Sequence, residues 1–144
     1  MKYTPPKPTR ETLLDLVVID QAGKIWLQQD KKTAPEWALL RRHVPKPDVL
    51  GFAHEELTRY GFIVHELMIL REGEMFWAQE GRPKRMPHVL VVAGVNYGEP
   101  PTAKDYYLEA FDYSAALKLR QHFSSDLKQL FDPTIDTIIR RQNV

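Results

Sequence analysis

Between positions 41 and 60 the sequence gathers residues able to act on phosphates or metals: Arg41, Arg42, Lys46, Asp48, Glu55, Glu56 and Arg59. Carboxylates of such a set could hold a divalent cation. Guanidinium and ammonium groups meet phosphate oxygens directly. A helix brings residues i, i+3 and i+4 to one face, so Glu56, Arg59 and Tyr60 share a patch. That patch holds one carboxylate beside a guanidinium, which has no lone pair for a metal and repels cations. Arg59 is also spaced to pair with Glu55 and Glu56, using up both acids locally.

Two uses of these acids are open. Asp48, Glu55 and Glu56 could form a metal site with His54 or Glu99; alternatively Asp48 caps a helix and the glutamates make a solvated face, the reading the sequence favours. His54 and Glu55 begin a His-Glu-x-x-His pattern, but Thr58 stands where the second histidine is needed. The other histidines, 43, 65, 88 and 122, have no cluster spacing. A second basic group, Arg82, Lys84 and Arg85, could join Arg41, Arg42 and Lys46 around a phosphate-bearing ligand or RNA, or both could be scattered loop charges. Trp37, Trp77 and Tyr97 could stack on a base, although core packing is expected for two of the three. No phosphate-cradling glycine loop, Gly-x-Ser-x-Gly elbow or serine triad is present, and with 0 cysteines thiolate chemistry is excluded.

The elements that must position these residues follow from pattern. Residues 1–11, with prolines at 5, 6 and 8, form an arm, and 12–144 a single domain. Two β-rich runs around Asp20 to Gly23 make a hairpin. Trp37 opens a short apolar segment that ends at the two arginines and the breaker Pro45-Lys46-Pro47. Asp48 is suited to cap a helix from Val49 to Tyr60, with Leu50, Ala53, Leu57 and Tyr60 as its apolar stripe and Gly61 as its C-terminal cap. A strand from Phe62, a turn over Arg71 to Glu74 and a strand from Met75 read as another hairpin. The basic loop Arg82 to Arg85 then leads to the most apolar run, from His88, expected to be a central strand. Tyr106 to Phe111 gives one more strand, and residues 114–130 and those from Asp132 onward read as helices. The order is α+β with a mixed sheet.

Composition bounds the rest. The chain has 144 residues, 43% hydrophobic and 27% charged, which suits one soluble domain that needs no metal or disulfide to fold. With 20 basic and 19 acidic residues there is no global field toward nucleic acid or lipid, so any such binding must be local. No apolar run approaches the ~20 residues of a membrane span, and the start carries no signal-peptide pattern, so a cytoplasmic protein with no membrane partner is expected.

From about residue 12 to 142 the order of elements resembles the Nudix domain, an α/β/α sandwich with a mixed central sheet. In that family a Trp-x-Leu-Pro-Gly-Gly turn precedes a helix bearing Arg-Glu-U-x-Glu-Glu-x-Gly-U, with U aliphatic. Here Trp37 to Arg42 stands for the turn, Asp48 for an upstream glutamate, and Glu55 to Phe62 for the helix motif. By this resemblance Glu56 takes the place of a metal-holding glutamate, while Arg59 and Tyr60 replace the acid pair. The resemblance implies a Nudix-like domain with a degenerate metal site that binds a phosphate-bearing ligand, RNA or a protein partner, through Arg41, Arg42, Lys46, Arg59 and Arg85, and needs no cofactor. Its alternative is a divergent Mg- or Mn-dependent pyrophosphohydrolase with Glu56 and Asp48 catalytic and Glu56 and Glu55 on the metal. A homodimer is also implied, as many such domains pair.

Overall fold

A computed structural model describes residues 11–32, 37–45, 48–79 and 82–112. Strands β1 (Thr12–Asp20) and β2 (Ile25–Asp30) form the expected hairpin. Its turn is set by Asp20, whose Oδ1 accepts from the N–H groups of Ala22 and Lys24, and by Gly23 at φ 76°. Short β3 (Trp37–Ala38) and β4 (Leu40–Val44) follow, then helix α1 (Val49–Tyr60). Strands β5 (Ile63–Gln79), β6 (Arg82–Asn96) and β7 (Tyr106–Phe111) complete a seven-stranded sheet among the described residues.

The order is β3-β2-β1-β6-β5, with β4 added to β1 and β7 to β2. Only β1 and β6 run parallel, so the sheet is mixed. β1 is buried on both faces from Leu13 to Asp20, which is why its sequence is a nearly unbroken apolar run rather than an alternation. Leu14, Leu16 and Val18 with Val91, Ala93 and Val95 of β6 pack beneath α1, while Val17, Ile19, Leu90 and Val92 form a second core on the opposite face.

α1 begins and ends where the sequence places it. The Asp48 carboxylate accepts from the Gly51 N–H at 2.9 Å, and a side chain at 51 would collide with it, which explains a glycine inside the first turn. Gly61, at φ 105°, closes the last turn in the left-handed region, its N–H reaching the Thr58 carbonyl at 3.0 Å. Val49, Ala53, Leu57 and Tyr60 are buried; so is Glu56, which the apolar stripe alone does not reveal.

Two expectations are corrected. No turn forms over Arg71 to Glu74: β5 runs straight through, and the ladder to β6 pairs Arg71 with Leu90, Glu72 with Val89 and Gly73 with His88. Gly73 is not among the positive-φ glycines, so its backbone is plain strand, and cross-strand hydrogen bonding overrides the local turn signal. For the same reason Arg82 to Arg85 belongs to β6 rather than to a loop. Arg41 and Arg42 likewise sit in β4, paired with Asp15 and Leu14 of β1, and are not loop charges. The N-terminal arm and the helices expected beyond residue 113 lie outside the described residues, and no helix among those residues is long and apolar enough to cross a membrane.

Replacing Gly61 by Ala should lower stability by about 1 kcal/mol through left-handed strain alone. Leu57→Ala, which empties a fully buried site under α1, should cost about 2–5 kcal/mol; urea denaturation reads both.

Candidate functional site

The face that α1 turns toward the sheet is polar at one point. β4 alternates, so Leu40, Arg42 and Val44 point to the α1 side, and Arg42 enters with only 9% of its surface exposed. Its Nη1 donates to Gln28 Oε1 of β2 and to the Arg41 carbonyl, both at 2.7 Å, and its Nη2 donates to the Tyr60 hydroxyl at 2.7 Å. Glu56, 6% exposed, brings Oε2 to 3.7 Å from Arg42 Nε, while its Oε1 is 3.1 Å from Arg59 Nη1. The guanidinium also stacks on the Tyr106 ring of β7, 4.2 Å from its centroid. Burial pushes the Tyr60 phenol above its ordinary pKa; Arg42 opposes this and Glu56 adds to it, so the hydroxyl stays neutral.

This donor set does not fit a divalent metal. Glu56, the acid the family resemblance puts on the ion, is held between two guanidiniums. Asp48 spends its carboxylate on the helix cap, and Glu55 lies on the exposed side of α1. Among the described residues no group of three or more histidines or acids comes together to hold a cation. Arg59 pairs with Glu56 as its spacing predicts, and its side chain is largely exposed. Of the glutamates, Glu55 is solvated while Glu56 is not, because α1 is turned so that positions 53, 56, 57 and 60 face the sheet. Lys46 lies outside the described residues, and Arg85 is placed in β6 by its backbone.

Arg41 points to the other face of the sheet. Its Nε and Nη2 donate to Asp15 Oδ1 and Oδ2 at 2.8 and 2.7 Å, a bidentate pair, and His88 Nε2 lies 2.8 Å from Asp15 Oδ2. β4, β1 and β6 are neighbours here, so the cluster is a cross-strand row in the core. Burial alone would raise the Asp15 carboxyl, but the hydrogen bonds and charges of Arg41 and His88 together hold it below its ordinary value. Sequence reading missed Asp15; a single acid inside the run Leu13 to Ile19 was the available signal, because such a residue must find a partner. Tyr97 packs within the protein against Trp26 and Phe62, while half-buried Trp37 meets Phe111 edge-on and also lines a cleft.

An open cleft of about 500 Å³ lies at the β2–β7 end of the sheet. Trp37, Tyr106 and Tyr107 contribute aromatic surface, and Lys31, whose Nζ is 5.2 Å from the Tyr107 centroid, contributes positive charge. Tyr106 belongs to this wall and to the Arg42 stack, so the cleft adjoins the polar network. Neither Lys31 nor the two tyrosines was singled out from sequence, because residues on three separated segments meet only through strand pairing.

No family model and no curated protein sequence matches the chain. Solved structures do. The chain is similar to a MutT protein from Bacillus halodurans, with a TM-score of 0.66 and 14% identity over 87% of this chain and 82% of that one. It is similar to the Escherichia coli dihydroneopterin triphosphate pyrophosphohydrolase at 0.66 and 12%, covering 90% and 95%. A Nudix hydrolase from Nitrosomonas europaea gives 0.59 and 10%, covering 93% and 88%. The chain therefore has a Nudix-like fold.

Because the Asp15 pKa is depressed in the folded state, its contribution is present above the ordinary carboxylate range and is lost as pH falls through the folded value. Asp15→Asn should cost about 3–5 kcal/mol at neutral pH, since it breaks a buried pair. The gap between wild type and variant should close in acid, read as denaturation midpoints across a pH series.

Proposed function

We propose that this protein binds a phosphate-bearing ligand in the cleft at the β2–β7 end and does not hydrolyse it by divalent-metal chemistry. The observation that carries this reading is Glu56, whose carboxylate lies against Arg42 and Arg59 where a cation would have to sit. A guanidinium cannot be deprotonated at working pH, so those partners stay charged and a divalent ion would have to displace them.

In this reading the cleft supplies what such a ligand needs. Tyr107 and Trp37 offer ring faces to a planar heterocycle, and Lys31 meets a phosphate as a point charge. Arg41 and Arg42, first assigned to the ligand, serve as internal partners; Arg42 acts on the cleft only through Tyr106. The similarity to a protein named for acting on dihydroneopterin triphosphate, a planar ring bearing phosphates, supports the same ligand class.

Calorimetric titration with guanosine triphosphate and with pyrophosphate, with and without Mg²⁺ or Mn²⁺ and with phosphate release followed in the same samples, tests the proposal. Binding indifferent to metal and without release is expected, and Tyr107→Ala should weaken guanosine triphosphate by about 1–3 kcal/mol through lost stacking. Metal-dependent release would establish the pyrophosphohydrolase instead. Glu56→Gln should leave nucleotide binding intact but cost about 1–3 kcal/mol of stability, because it strips a charged partner from buried Arg42.

A further inference from the structure

We propose that Lys31 selects what the cleft takes, because its ammonium covers the Tyr107 ring until a phosphate draws it away. A heterocycle that carries a phosphate is then admitted, and the same heterocycle without one is held back. The inference rests on the binding reading above and adds a rule of selection to it.

Strand register sets the covering contact. Gln29 lies directly opposite Tyr107 in the β2–β7 ladder. The Lys31 N–H donates to the Asp105 carbonyl at 3.2 Å, which carries the ladder one residue past the end of β2. Lys31 therefore leaves the same face as Gln29 and is the diagonal neighbour of Tyr107, within reach of a long side chain. Its Nζ stands over the Tyr107 ring, 5.2 Å from the centroid, a distance at which the ring attracts a cation. The same Nζ donates to the Ala103 carbonyl at 3.5 Å. Tyr107 and Ala103 both line the cleft, so the ammonium lies within it, on a ring face that a stacked ligand needs.

Both of these partners are neutral. Among the described residues the Lys31 ammonium meets no carboxylate, and its side chain is exposed, so it is held loosely. A phosphate oxygen is a stronger partner, since hydrogen bonds between ionised groups are about twice as strong as neutral ones. A bare heterocycle must push the ammonium off the ring and offers it nothing in return. A phosphorylated one uncovers the ring and supplies the replacement partner in the same event. Selectivity here comes from a cost placed on the wrong ligand as well as from attraction to the right one. The same lysine is thus an obstacle to the nucleoside and an attachment point for the nucleotide, and its removal should move the two in opposite directions.

Chemical-shift titration of the full chain with guanosine and with guanosine triphosphate, without divalent metal, tests this. Lys31→Ala should lower the guanosine Kd by about two- to fivefold, the strength of an exposed cation–ring contact. It should raise the guanosine triphosphate Kd by about two- to fivefold through the lost charge pair. Lys31→Arg, whose guanidinium stacks on a ring and also meets phosphate, should bind guanosine no tighter than wild type and hold guanosine triphosphate within about twofold. If Lys31→Ala shifts both ligands in the same direction, or leaves guanosine unchanged, the selection rule is overturned while the binding reading stands. If wild type binds neither ligand, the binding reading falls and the rule falls with it.

Discussion

A guanidinium buried to 9% exposure is the constraint around which the α1 side of this protein is arranged. Arg42 cannot shed its charge, and a buried charge without partners costs far more than a domain of this size can spare. Its needs are met from four directions: Gln28 on β2, Tyr60 and Glu56 on α1, and the Tyr106 ring on β7. The position of α1 over the sheet and the orientations of Tyr60 and Glu56 are tied to that one residue. A helix face that could have been an ion-binding surface is in this chain a structural clasp.

The two faces of the sheet handle polarity in parallel ways. On the α1 side an arginine is the centre and the acid one of several partners. On the other side a carboxylate, Asp15, is the centre, and Arg41 and His88 converge on it. Adjacent residues of β4 supply both arginines, because successive side chains of a strand point to opposite faces. Arg41-Arg42 therefore acts as two separate anchors, one through each side of a two-sided core.

Much of this was legible in the sequence where local chemistry decides the outcome. Asp48 and Gly61 bound α1 because caps act within one turn, and the Asp20 to Gly23 turn was legible for the same reason. The central place of the run from His88 followed from its apolarity. The Arg71 to Glu74 region was misread because turn-forming residues were weighed without the partner strand, whose hydrogen bonds decide the matter. The burial of Glu56 and Asp15 was hidden for a related reason: each is charged in isolation and becomes acceptable inside only when Arg42 or Arg41, distant in sequence, arrives beside it. Lys31, Trp37 and Tyr107 share a wall only once β7 has added to β2, which no spacing rule encodes.

The single parallel pairing in the sheet bears on how the chain reaches this state. Asp15 and His88 are 73 residues apart, so joining β1 to β6 closes a long loop, as does adding β7 to β2, where Ile25 meets Phe111. The hairpin of β1 and β2, the helix α1 and the ribbon of β5 and β6 each need only local closure and can form first. β1 keeps its apolar flank open until β6 docks. The order of assembly implied is a ribbon and a hairpin that search for one another, with the slowest step also the one during which unprotected strand is open to misassociation.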